Sequence, residues 1–106
     1  MAGEVSIGGS TYNVRGQIDL LHVDQSVATI ADYKTNRAVP AATEHIPPAY
    51  VAQMALYREL ARRVWPGLEI RCAIIWTSTA TLMAVPSKAL DLSLEVLAGH
   101  SGERSS

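Results

Sequence analysis

Residues 19–34 read Asp19-Leu20-Leu21-His22-Val23-Asp24-Gln25-Ser26-Val27-Ala28-Thr29-Ile30-Ala31-Asp32-Tyr33-Lys34, and how this stretch pairs with itself decides the fold. Residues 12–24 are expected as a strand. Ile18, Leu20 and His22 would lie on one face and Asp19, Leu21 and Val23 on the other, because successive strand side chains point to opposite sides. Asp24, Gln25 and Ser26 supply a turn, and residues 27–35 form a second strand. With Gln25 and Ser26 as the two loop residues, Asp19 falls directly opposite Asp32. Lys34 projects from the same face as Asp32, about 7 Å further along the strand. The remainder of that face is Leu21, Val23, Ala28 and Ile30, which is apolar.

Like charges directly opposed on neighbouring strands are destabilising. Two carboxylates and an ammonium at the end of an apolar face are costly unless something compensates them. A divalent cation would do so, and Mg2+ typically takes one or two carboxylates and leaves other positions to water and phosphate. A lysine beside such a metal can position or deprotonate an attacking water. The competing reading is a solvated Asp32–Lys34 ion pair with Asp19 facing water. Register separates the two readings, since a slip of one residue puts the aspartates on opposite faces. Gln-Ser is not a favoured two-residue hairpin loop, so the spacing alone does not choose between them.

Residues 4–7 read as a short extended piece ending at the Gly8-Gly9 turn. Residues 36–48 carry Pro40, Pro47 and Pro48 and form a loop long enough to carry function. Pro48 suits the first turn of a helix running to about residue 64. Tyr50, Met54, Tyr57, Ala61 and Val64 recur at three- and four-residue steps and mark its buried face. Gln53 and Tyr57 share a face, and a glutamine amide there needs partners. Turned toward the carboxylates, the pair can hydrogen-bond a phosphate or a water at the metal. Pro66-Gly67 ends this helix. Residues 68–77 are a strand with a near-continuous apolar second half, expected to be covered on both faces. Residues 81–85 are its short partner. Ser87 caps a last helix through residue 97, closed by Gly99, and residues 100–106 are a polar tail. The order β-β-β-α-β-β-α predicts a mixed β-sheet flanked by helices, of the α+β or α/β class, over residues 1–99.

The chain has 106 residues, enough for one domain with a modest core. At 48% hydrophobic and 18% charged it has the composition of a folded protein, and its formal charge of −1 excludes a strongly basic, nonspecific nucleic-acid binder. The single cysteine, Cys72, excludes an intramolecular disulfide framework and a Cys-cluster zinc site. It lies in an apolar run and reads as a small buried thiol. No apolar stretch approaches the roughly 20 residues that span a membrane, and no signal-peptide pattern is present. A cytoplasmic, reducing compartment is expected.

Gly16-Gln17-Ile18-Asp19, Ala31-Asp32-Tyr33-Lys34-Thr35-Asn36, Ile46-Pro47-Pro48-Ala49-Tyr50 and Gln53-Met54-Ala55-Leu56-Tyr57 follow one another in this order. Together they resemble the nuclease domain of the RecB-type PD-(D/E)xK superfamily, and most of all the C-terminal domain of bacterial AddA helicase–nucleases. The resemblance covers residues 16–85. It implies a restriction-endonuclease-like fold and Mg2+-dependent phosphodiester hydrolysis, with Mn2+ as a possible substitute. Carried over by position, Asp19 and Asp32 would be metal ligands, with the Tyr33 backbone carbonyl as a further one. Lys34 would orient or activate the water, and Gln53 and Tyr57 would complete the site. The implied setting is recombinational double-strand break repair, with DNA single strands delivered by an attached helicase and an AddB-like partner subunit.

The chain departs from this pattern in two places. The family has a helix before the first strand that supplies a His or Glu near the metal, whereas this chain begins at its strands; a fragment of a larger protein is the expectation. The family often carries Arg where this chain has Gln17 and Leu20. The second reading is therefore a catalytically incomplete nuclease-fold module that binds DNA or a partner subunit without cutting. A plain structural domain is the third.

Arg37 enters the loop beside the site and is the expected phosphate contact, with Thr35 and Asn36 next to it. Arg58, Arg62, Arg63 and Arg71 would form either a phosphate-contacting strip or an ordinary solvated face, and the interspersed Glu59 favours the latter. His22, His45 and His100 lack ligand spacing, and Trp65 and Trp76 read as core or interface anchors.

Overall fold

A computed structural model of the chain describes residues 2–7, 9–15 and 19–103. Strands β1 (Ala2–Ile7) and β2 (Ser10–Arg15) form an antiparallel hairpin. It turns through Gly9, whose φ of 83° is a conformation glycine adopts without steric cost. Strands β3 (Leu20–Val23), β4 (Val27–Lys34), β5 (Glu69–Trp76) and β6 (Thr81–Val85) make a second sheet in that spatial order. The β3–β4 and β5–β6 pairs are antiparallel, and β4–β5 is parallel. A parallel pair needs a crossover. Here it is made by a loop, a short 3-10 turn (Thr43–His45) and helix α1 (Pro48–Val64). Helix α2 (Ser87–Glu103) follows β6. The result is a mixed four-stranded sheet flanked by helices, of the restriction-endonuclease-like kind.

One sheet face carries the core. Ala28 and Ile30 of β4, Ile70, Cys72, Ile74 and Trp76 of β5, and Val85 of β6 meet Met54, Tyr57, Leu60 and Ala61 of α1 and Leu90 of α2. Alternation along each strand sends the other residues to the opposite face, where Ala31 and Ala73 are buried while Leu20, Tyr33 and Leu82 are exposed. Among the described residues no helix is long and apolar enough to cross a membrane.

Four expectations need correction. The strand expected over residues 12–24 is two strands in different sheets, because alternation has the same period in one long strand as in two short ones. The β1–β2 hairpin is drawn onto the helices instead. Val5 is buried among them, and a Cβ on Gly3 would come within 2.7 Å of Leu60 Cδ2. The intervening Gly16, Gln17 and Ile18 lie outside the described residues. Next, α2 continues through Gly99 to Glu103, since glycine within an exposed helix weakens it by only about 1 kcal/mol. Residues 104–106 of the expected tail lie outside the described residues. Third, Val64, the last residue of α1, is exposed despite its spacing. Fourth, Arg58, expected on a solvated helix face, is 2% exposed. Its guanidinium meets Asp91 of α2 at 2.7 Å and ties the two helices together.

Candidate active site

The site begins with the β3–β4 hairpin. Leu20 pairs with Ala31, Leu21 with Ile30, His22 with Thr29 and Val23 with Ala28. Gln25 and Ser26 are the two loop residues. The Asp24 amide donates to the Val27 carbonyl at 2.8 Å, and the Gln25 amide donates to Asp24 Oδ1 at 2.7 Å. That side-chain contact steadies a loop whose own residues are unremarkable turn formers. Just beyond the last pair, Asp19 and Asp32 come together as the register requires, close enough for each carboxyl group to affect the ionisation of the other.

The two carboxyls are pushed in opposite directions. The Tyr33 amide donates to Asp19 Oδ2 at 2.9 Å. That bond, first, and then the Asp32 side chain and the Lys34 charge hold Asp19 below the ordinary carboxylate range. Asp32 is 8% exposed, and burial pushes its carboxyl up. The Lys34 ammonium works against that rise while Asp19 adds to it. Lys34 Nζ lies 2.7 Å from Asp32 Oδ2. The contact is one of charge rather than of directed hydrogen-bond geometry, so Oδ2 is buried without a hydrogen-bond donor.

Helix α1 supplies the opposite wall. Lys34 Nζ donates to Gln53 Oε1 at 3.2 Å, and Gln53 Nε2 donates to the Tyr57 hydroxyl at 3.2 Å. Asp32, Lys34, Gln53 and Tyr57 therefore form one continuous line of polar contacts, and Asp19 joins it through the Tyr33 backbone. Tyr33 contributes its amide to this line; its ring is on the exposed sheet face. Tyr50, a core position by spacing and the last residue of the Ile46-Pro47-Pro48-Ala49-Tyr50 motif, has no site role in the sequence and gains one in the structure. Its ring centroid lies 4.4 Å from Lys34 Nζ. The signal was present, because Tyr50, Gln53 and Tyr57 stand at helix spacing on one face.

The end of β4 is held from the β5–β6 turn. The Thr77 amide donates to the Lys34 carbonyl at 2.9 Å, and Ser78 Oγ donates to the Asn36 carbonyl at 2.8 Å. Asn36 Oδ1 accepts the Tyr50 hydroxyl at 3.1 Å. Asn36 is thus built into the wall of the site, while Thr35 and Arg37 are exposed beside it. The four arginines of the candidate strip are engaged elsewhere: Arg58 with Asp91, Arg62 with Glu59, Arg63 with the Glu4 carbonyl and Arg71 with Glu69. They do not form a strip of free cations. His22 and His45 are exposed, and the side chain of His100 lies outside the described residues. An apolar groove of about 480 Å³, lined by Ile46, Val51, Leu92 and Val96 among others, contains none of the candidate residues.

The donor set fits a hard divalent cation. Asp19 is ionised at neutral pH, and Asp32 presents a buried oxygen that no hydrogen bond satisfies. One or two carboxylates, with water and phosphate for the rest, is the ligand count Mg2+ favours. Among the described residues no cluster of three His, Cys, Asp or Glu side chains adds to them.

A family model described as the PD-(D/E)XK nuclease superfamily matches residues 1–95, a span that includes every residue of this site. No curated protein and no solved structure matches the chain.

Proposed function

The chain belongs to the PD-(D/E)XK nuclease superfamily, and from that premise we propose that it is the Mg2+-dependent DNA nuclease domain of an AddAB- or RecBCD-type helicase–nuclease. One observation carries the reading: Lys34 Nζ stands between Asp32 Oδ2 at 2.7 Å and Gln53 Oε1 at 3.2 Å, with Asp19 across the β3–β4 hairpin from Asp32. Asp19 and Asp32 would hold the cation, with the Tyr33 carbonyl as a further ligand. A bound divalent ion supplies positive charge to offset what builds up on a phosphodiester during in-line attack. Mn2+ would serve in its place.

The chain's own residues do the rest. Lys34 donates hydrogen bonds to the attacking water or to the phosphate, and its charge stabilises the transition state. Gln53 fixes the ammonium, and Tyr57 fixes Gln53. Arg37, with Thr35 next to it, reaches the DNA backbone from the loop that follows β4. Asn36, which the sequence placed with them, supports the wall of the site. The order of motifs from Asp19 to Tyr57 supports the AddA-like setting: single strands fed by an attached helicase, an AddB-like partner and break repair in the cytoplasm. Under this reading residues 1–99 are the nuclease portion of a longer protein.

The test is cleavage of single-stranded DNA by the chain with Mg2+ or Mn2+. Asp32→Ala and Lys34→Ala should each abolish it while leaving the fold intact. Cleavage that survives both substitutions would sink the assignment. A second reading is DNA or subunit binding without cutting, because among the described residues no third His, Cys, Asp or Glu side chain joins the two carboxylates. Calorimetry separates the two: Mg2+ binding that disappears in Asp19→Ala and Asp32→Ala favours the nuclease.

A further inference from the structure

We propose that Tyr50 is a positioning residue for Lys34, setting the direction in which the ammonium presents its free N–H. The proposal rests on the nuclease reading of the site. An ammonium has three donors on a flexible stem, and a single carboxylate holds its position without fixing its direction. Lys34 has Asp32 Oδ2 at 2.7 Å and Gln53 Oε1 at 3.2 Å, and the face of the Tyr50 ring covers a further flank at 4.4 Å. A ring face attracts a cation electrostatically without taking a particular N–H. With Asp32, Gln53 and the ring on three sides, the N–H groups that Gln53 does not take are left to the flank that remains, where a water or a phosphate oxygen can accept one.

The ring is itself held at both ends. Its hydroxyl donates to Asn36 Oδ1 at 3.1 Å, and its body packs on Trp76 with centroids 6.1 Å apart and planes 43° apart. Trp76 is the sheet neighbour of Lys34 across the β4–β5 ladder, and Asn36 lies two residues past the lysine. The strand end that carries the ammonium therefore also carries the supports of the ring that aims it. A tyrosine needed only to fill the core would not require a fixed ring face over a charge.

The experiment replaces Tyr50 in the full chain with phenylalanine and then with phenylalanines of increasing fluorination. These keep the ring's size while removing the negative charge of its face. Tyr50→Phe loses only the bond to Asn36 and is the reference for the series. Full fluorination should lower kcat by about tenfold, with KM within about twofold and an unchanged melting temperature. A kcat that stays flat across the series, beside an inactive Asp32→Ala, overturns the proposal and leaves the nuclease reading standing. An Asp32→Ala variant as active as the native chain overturns the nuclease reading, and this proposal with it.

Discussion

The backbone amide of Tyr33 donates to the carboxylate of Asp19 at 2.9 Å, so the residue between Asp32 and Lys34 favours the ionised form of the aspartate facing them. Asp19 is held low chiefly by that bond, and Asp32 is held high chiefly by burial. In the metal-free chain, carbon-detected NMR should show Asp19 titrating below 3.8 and Asp32 above it. The signs carry over to stability. The contribution of Asp19 is present above the unfolded carboxyl value and is lost as pH falls through its lowered one. The contribution of Asp32 is present below the unfolded value and is lost as pH rises through its raised one. Lys34→Ala should move Asp32 further up, because the ammonium is the group opposing the rise. A reversed titration order would contradict this account.

Gln53 and Tyr57 test the far wall. Gln53→Ala removes the acceptor at Lys34 and the donor to Tyr57 together, and a loss of about tenfold in kcat is expected from the missing hydrogen bond to a charged group. Tyr57→Phe removes only the second bond, costs stability by about 1 kcal/mol and lowers kcat less. Steady-state cleavage assays with denaturant melts measure both. Equal rate losses would mean that the two residues do not act in series.

Arg58 should behave as a buried charge rather than a surface one. Its partner Asp91 is 62% exposed, and Glu59 lies further off at 3.7 Å. Asp91→Ala leaves the guanidinium in the α1–α2 junction without its close partner and should cost about 2 kcal/mol. Arg58→Met keeps an apolar stem and removes the charge, and should cost less. Chemical denaturation gives the order, and the reverse order would show that the arginine's own contacts dominate.

Cys72 is predicted to be inert. Burial pushes its thiol up to about 12, and Sγ faces the Met54 carbonyl at 3.7 Å. At pH 8 thiol reagents should label it only after unfolding. The raised value also carries a sign. The thiol's contribution to stability is intact below about 9 and is lost as pH rises from there toward 12, because the unfolded chain ionises first. Cys72→Ala should flatten that part of the stability profile by up to about 1.4 kcal/mol per pH unit. An identical alkaline profile in the two proteins would contradict the burial.

The register and the helix were legible in the sequence because each is written in local pattern. Alternation from Leu20 to Val23 and from Val27 to Lys34, with a two-residue loop between them, leaves one pairing that buries Ala28 and Ile30. Pro48 and Pro66-Gly67 bracket α1 closely. The contacts formed between distant parts of the chain were not legible. Nothing near Arg58 announces a partner on α2, and a tyrosine at Tyr50 has the spacing of any core residue until the lysine beside it is placed. The division of residues 12–24 between two sheets depends on where Val5 and Gly3 dock, which no strand periodicity records.

The bonds from Thr77 and Ser78 to the backbone at Lys34 and Asn36 have a practical meaning for anyone altering this protein. The 77–80 turn connects two strands, contributes no reactive group and resembles a harmless place for a tag or a graft. It nevertheless sets where the lysine's strand ends, and Ala80 within it already sits at a φ of 51°. An insertion there would leave every carboxylate in the chain and detune the site from behind. The turn at Gly67, where an added Cβ meets nothing within 4 Å, is the safer point of attachment.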